Sequence, residues 1–247
     1  SGSALADLTI GVSLPLTGPA SGLGIPMGNQ VKLWPTTIGG EKVKVIVLDD
    51  ATDPTAGVKN ARRFVTEDKV DVIVGSAATP VGIAMADVAL ESKTVQLAAT
   101  PMGLPPGKDA WSFRLPQSNT VMAHAVAAHM KKMGVKTVGF LGYTDAYGEQ
   151  WLQAFTAEGE KQGIKVIATE RFARTDTSVT AQALKLVAAN PDAMLVVASG
   201  SGAAMPQLGL GHLLRAVFGG QVNEAPVALF HDLATWEKIA FLYTPDT

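Results

Sequence analysis

Two threonines stand where a strand-like run gives way to a proline: Thr79-Pro80 after Val70 to Val74 and the small-residue loop Gly75-Ser76-Ala77-Ala78, and Thr100-Pro101 after Val95 to Ala99. A hydroxyl beside a helix start, where free N–H groups point outward, suits a carboxylate. If the two strands are neighbours, the two hydroxyls converge on one small anion. The plain alternative is that each threonine only caps a helix or turn, and Asp53-Pro54 and Thr79-Pro80 both place a capping side chain before a proline at the first helical position. Further along, Tyr143-Thr144-Asp145-Ala146-Tyr147-Gly148 and Ser199-Gly200-Ser201-Gly202 follow two more strand-like runs. Tyr147 would offer an apolar plate with a polar tip, and the Gly/Ser loop would offer backbone donors at close approach. Ordinary loop chemistry, with Asp145 capping a helix that begins near Gly148, is the competing reading.

Other chemistry finds weaker support. Gly22, Gly24 and Gly28 imitate a dinucleotide fingerprint, but Pro15 to Ser21 separate them from the preceding strand and Pro26 interrupts the spacing. No nucleotide cofactor is expected. Asp49-Asp50 could bind a ribose or a metal, although such a pair opening a loop is more commonly a solvated turn. His124 and His129 lie about 140° apart around a helix at ~100° per residue and cannot chelate together. With no cysteine and no other cluster at ligand spacing, no metal site is expected. Twenty Lys+Arg against 22 Asp+Glu give a net charge of -2, which favours no nucleic-acid partner.

The elements that must position these groups alternate. Strand-like runs at Thr9–Leu14, Val43–Leu48, Val70–Val74, Val95–Ala99, Thr137–Gly142, Lys165–Glu170, Ala193–Ala198 and Val227–Phe230 are separated by helical patterns. Val58, Ala61 and Val65 share one helical face, as do Val81, Met85 and Val88, and Met122, Val126, Met130 and Met133. This predicts an α/β fold with parallel sheets. The pattern breaks over Met102 to Asn119, where a crossing between domains is expected. The first lobe is placed at 8–118 and the second at 119–207, with 208–247 unclear and ending in one short strand and a helix-like stretch from Asp232 to Tyr243. Apolar runs fall short of the ~18 residues of a membrane helix. Ser1-Gly2-Ser3 reads as a cloning scar ahead of a mature chain, so the start is silent on export.

Ile10-Gly11-Val12-Ser13-Leu14-Pro15-Leu16-Thr17-Gly18-Pro19, Asp49-Asp50, Val58-Lys59-Asn60-Ala61, Val72-Ile73-Val74-Gly75, Phe113-Arg114-Leu115-Pro116, Asp145-Ala146-Tyr147-Gly148 and Arg171 to Thr177 stand in one order over some 200 residues. In that order the chain resembles the type I periplasmic solute-binding proteins of ABC transporters, the branched-chain amino acid binding family and its aromatic-acid relatives. The resemblance implies a bilobed fold of two Rossmann-like parallel-sheet lobes, a non-enzymatic role, a periplasmic or extracellular location and ABC permease subunits as partners. It also implies that Thr79 and Thr100 hold a ligand carboxylate, that Ala98 supplies a carbonyl, and that Tyr147 and the region of Ser201 contribute from lobe 2. Family members usually cross back to lobe 1, so the second crossing is expected to be incomplete, and an unpaired sheet edge in a mobile 208–247 segment would favour self-association. The alternatives are a nucleotide-dependent oxidoreductase and a ligand-sensing ectodomain of the same fold.

Overall fold

The computed structural model describes residues 7–203, 228–231 and 238–243, and the chain divides into two compact units, Ser1–Pro116 and Gln117–Thr247. In chain order the first unit holds β1 (Leu8–Leu14), α1 (Ser21–Val31), β2 (Thr37–Ile38), β3 (Glu41–Asp49), α2 (Pro54–Thr66), β4 (Val72–Gly75), α3 (Thr79–Ser92), β5 (Val95–Ala98) and β6 (Ser112–Arg114). The second holds α4 (Asn119–Lys132), β7 (Thr137–Tyr143), α5 (Ala146–Gln162), β8 (Lys165–Phe172), α6 (Thr180–Ala188), β9 (Ala193–Val197), the 3-10 turn Gly200–Ala203, β10 (Ala228–His231) and β11 (Lys238–Tyr243).

The first sheet runs β2-β3-β1-β4-β5-β6, with β1 parallel to both β3 and β4. Register sets Leu14 opposite Asp49 and Ser13 opposite Gly75, so the ends of three strands meet at one edge. Short β-branched runs buried from both faces are what a parallel sheet demands. Phe64 and Met85, from α2 and α3, are fully buried against this sheet. The run expected to be a crossing, Trp111 to Leu115, contributes β6, parallel to β5, and the division falls after Pro116.

The second sheet runs β10-β11-β9-β7-β8, with β7 parallel to β8 and β9. Trp151 and Phe155 of α5 are fully buried in a core with Phe140, Phe172 and Leu186. Full burial of such a ring contributes roughly 2 to 3 kcal/mol. Met133, expected on the buried face of α4, is the residue after the helix and is 43 % exposed. Asp232 to Tyr243 is not helical where it is described: Lys238–Tyr243 is a strand, antiparallel to β9 with Ile239 opposite Val197. Its Ile, Phe and Tyr are strand formers, and the open side of β9 gives their backbone a partner. β9 is thus paired on both sides, and nothing among the described residues supports self-association through an open edge there. Residues 204–227, 232–237 and 244–247, with the mobility expected of them, lie outside the described residues.

One missed helix is α1. Its glycines gave the false fingerprint, yet they serve packing: a β-carbon on Gly24 would collide with the Pro15 carbonyl. Asp53 caps α2 as expected, its carboxylate accepting from the Thr55 and Ala56 amides at 2.6 and 3.1 Å. Among the described residues, no helix is long and apolar enough to cross a membrane.

Candidate functional site

Polar groups gather at the carboxyl edge of each sheet, where strands end and helices begin. In the first unit, Thr79 and Thr100 lie 2.6 Å apart, hydroxyl to hydroxyl, both buried. The proline rule put Thr79 ahead of α3; instead it is the first residue of the helix, Ala78 holds the cap position, and no side chain caps the end. Thr79 spends its hydroxyl on Thr100, which follows β5, because β4 and β5 are neighbours and end level with each other. Ala98, the last residue of β5, is buried, and its carbonyl accepts from the Leu115 amide at 2.9 Å.

The loop between β4 and α3 is held from below. Gly75 has φ +120°, and a β-carbon there would meet the Ser13 carbonyl, so only glycine fits this turn against β1. Gln96 donates from Nε2 to the carbonyls of Gly75 and Gly82 at 2.9 and 3.0 Å, and accepts from Ser112 at 2.7 Å. Only half of the Asp pair is solvated: Asp49 is exposed at the end of β3 while Asp50, ahead of the turn, is not. Asp50 is fully buried, accepting from Ser13 Oγ and the Thr52 amide, each at 3.1 Å. Burial pushes its carboxyl above the usual range, hydrogen bonds from Ser76, Thr52 and Ser13 oppose this, and the Asp49 charge adds to it. Asp49 has the opposite fate: burial raises it, but donors outweigh that, namely the Thr17 hydroxyl at 2.6 Å and the amides of Ala51, Thr17 and Leu16, and its carboxyl falls.

In the second unit the edge is built around Arg174, in the loop after β8. Its side chain is 10 % exposed; Nε donates to Asp145 Oδ2 at 2.6 Å and Nη1 to Ser199 Oγ at 3.0 Å. The guanidinium lies 4.2 Å from the Tyr143 ring centre and 5.8 Å from that of Tyr147. Tyr143 donates to the Ser199 carbonyl at 2.7 Å, and burial holds its hydroxyl above the ordinary tyrosine range. Asp145 also caps α5, accepting from the Tyr147 and Gly148 amides. Tyr147, expected at the site, is buried against this cluster with its ring centre 6.3 Å from that of Tyr143. Ser201 lies in the 3-10 turn Gly200–Ala203, and its side chain is outside the described residues.

The structure therefore brings Thr79, Thr100 and Ala98 together in the first unit, and sets Tyr147 in the polar edge of the second. Sequence reasoning passed over Gln96, weighed Asp50 only as half of a ribose, metal or solvated-turn pair, and noted Arg174 only within the Arg171 to Thr177 stretch. For Arg174 the available signal was a charged residue two positions past Phe172, where a strand ends; for Asp50 it was the alignment of the ends of β1, β3 and β4, which requires the register. His124, excluded as a metal ligand, meets Glu158 at 3.2 Å.

Comparison with known proteins bears on the family and the fold. The periplasmic binding protein family model matches residues 7–209. A Leu/Ile/Val-binding protein homologue of Brucella melitensis is 32% identical over 208 residues, 77% of this chain and 54% of that relative. An extracellular ligand-binding receptor from Rhodopseudomonas palustris HaA2 superposes with a TM-score of 0.82 at 48% identity, covering 84% of this chain and 58% of that one. A solute-binding protein of an ABC transporter from Rhodopseudomonas palustris BisB5, solved with 3,4-dihydroxybenzoic acid, superposes at 0.76 with 24% identity, a likeness of fold. The chain spans about half the length of the curated relative. With two α/β sheets built around β1 and β7, and a family match running through both units to residue 209, this chain belongs to the periplasmic binding protein family.

Proposed function

We propose that the chain is the solute-capturing part of a periplasmic binding protein, taking up a small carboxylate for delivery to ABC permease subunits. The observation that carries this is the pair of hydroxyls on Thr79 and Thr100, 2.6 Å apart at the uncapped start of α3. One hydroxyl donates to the other, which leaves one O–H to donate to an anion, beside amides that a helix start leaves unpaired. The Ala98 carbonyl keeps a second lone pair for a ligand donor, an ammonium or a hydroxyl. Tyr147 and Ser201 are the groups proposed to contribute from the second unit, the tyrosine as an apolar plate.

The ligand class is a branched-chain amino acid or an aromatic acid. A relative is named for leucine, isoleucine and valine, and solved neighbours hold 3,4-dihydroxybenzoic acid, benzoate or 4-hydroxybenzoate. The role is binding rather than catalysis, and the place of work is the periplasm. A thermal-shift screen tests this with L-leucine, L-valine, benzoate, 4-hydroxybenzoate and NAD. A carboxylate should raise the melting temperature of the wild type and raise that of Thr79→Ala less at the same concentration. Stabilisation by NAD, or an equal carboxylate shift in the variant, would overturn the reading.

A further inference from the structure

Gln96 is a polar residue fully buried in β5, between Val95 and Leu97. Its amide has one orientation open to it. The carbonyls of Gly75 and Gly82 can only accept, so Nε2 must face them, at 2.9 and 3.0 Å, and Oε1 is left to accept from the Ser112 hydroxyl at 2.7 Å. Those two glycines flank Thr79. Gly75 ends β4, and Gly82 lies in the first turn of α3, where its own amide donates to the Ala78 carbonyl at 2.9 Å. Thr100 follows the strand that carries Gln96. One side chain therefore joins the strand that leads to one hydroxyl to both ends of the segment that carries the other. Gly82 is also close to Thr100 itself: a β-carbon there would come within 3.0 Å of the Thr100 methyl.

We propose that Gln96 is a positioning residue for the anion-binding hydroxyls: it fixes the first turn of α3 against the end of β5 and so sets the 2.6 Å meeting of Thr79 with Thr100. The ligand side of this rests on the proposed function; the tie between strand and helix does not. An amide buried in a strand costs more than an alkyl chain unless its bonds are made, and here they are made to the backbone on either side of Thr79. Apolar burial of Val81 and Met85 holds α3 on the sheet, but it is non-directional. The two carbonyl bonds supply the direction, fixing how the helix is turned about its axis and which way its first hydroxyl faces. Hydroxyls already set at their working distance need no ordering when an anion arrives, and the ordering saved appears as affinity.

Two variants separate this role from plain structural support. Gln96→Met and Ser112→Ala each remove a buried hydrogen bond and should each lower stability, but only Gln96→Met releases Gly75 and Gly82. The direct readout is amide hydrogen exchange, followed residue by residue by NMR in the intact chain. In Gln96→Met the Gly82 amide should exchange about tenfold or more faster relative to that of Ala89, further along the same helix, while in Ser112→Ala the ratio keeps its wild-type value. An unchanged ratio in Gln96→Met, or the same change in Ser112→Ala, overturns the proposal. Should Gln96→Met not fold, Gln96→Asn, whose shorter arm no longer reaches both carbonyls, is read in the same way. In the ligand arm, L-leucine and benzoate are titrated by calorimetry. The probe that binds the wild type should bind Gln96→Met about tenfold more weakly and Ser112→Ala within about twofold of the wild type. Equal affinity in the wild type and Gln96→Met overturns the inference alone. If neither probe binds the wild type, the proposed function loses its support while the exchange ratio still decides the tie.

Discussion

At the carboxyl edge of the first sheet two buried threonine hydroxyls and a helix start stand beside an exposed carboxylate, Asp49, and a buried one, Asp50. At the same edge of the second sheet a guanidinium, a carboxylate and two tyrosine rings are locked to one another. The first edge has hydrogen-bonding capacity left over for an anion. The second has spent its charges internally: Asp145 takes up the charge of Arg174 and caps α5 with the same carboxylate. Under the proposed function, folding and recognition draw on different residues in the first unit, whereas the charged groups of the second edge serve its own folding.

The largest effect should come from removing the charge that the second edge is built on. Arg174→Met leaves Asp145 without its partner and Tyr143 without its cation. Since Arg174 is 10 % and Asp145 22 % exposed, the fully buried cost is discounted to about 2 to 3 kcal/mol, read by urea unfolding. A loss under half a kilocalorie would place recognition, and not folding, at this edge too. Next, Thr79→Ala should weaken carboxylate binding by about 1 to 3 kcal/mol and stability by less. An equal loss of both would erase the contrast between the edges.

The caps sharpen the comparison. Asp53→Ala removes a cap and should cost about 1 kcal/mol; Asp145→Ala removes a cap and an ion pair together and should cost more. Equal costs in denaturant melts would show that the Arg174 pair adds nothing. Acid should also divide the units. Glu149 and Asp192 in the second unit have lowered pKa values, the first chiefly from the hydrogen bond with Arg171 and the second from the Lys136 amide. Stability from such groups is present above the unfolded pKa, ~4, and is lost as pH falls through the folded one. In the first unit Asp49 behaves likewise, but Asp50 has the opposite sign. Hydrogen exchange on acidification should thus open the second unit first. The smallest effect belongs to Arg62→Ala, whose pair with Glu91 is about three-fifths exposed on both sides and should contribute less than about 0.5 kcal/mol.

Most strands were legible because β-branched runs between proline and glycine have few other uses: β1, β3, β7 and β9 fall within a few residues of their expected bounds. Asp53 was legible as a cap because a cap is a local bond. Helix α1 was not, since Pro26 and three glycines lower its intrinsic propensity and its contact with Pro15 is tertiary. The meeting of Thr79 with Thr100 followed from guessing that two strands are adjacent. Asp50 and Arg174 depend on three strand ends or loops converging, which spacing along a chain does not encode. Asp50 was legible as half of a ribose, metal or solvated-turn pair, and Arg174 only as part of the Arg171 to Thr177 stretch.

Among the described residues every strand of the first sheet lies before residue 115, and β1, which β3 and β4 flank, precedes the others in the chain. During synthesis β1 waits for β3 and β4, its two neighbours, and both arrive by Gly75. The sheet can therefore close, and the loop from Gly75 to Thr79 can settle on it, while the second unit is still being translated. In the second unit β11, the partner of β9, begins only at Lys238, so β9 carries an open edge for some forty residues of elongation. A ribosome paused in that interval would hold β1 paired on both sides and β9 open on one, which makes the open side of β9 the place for a chaperone to cover.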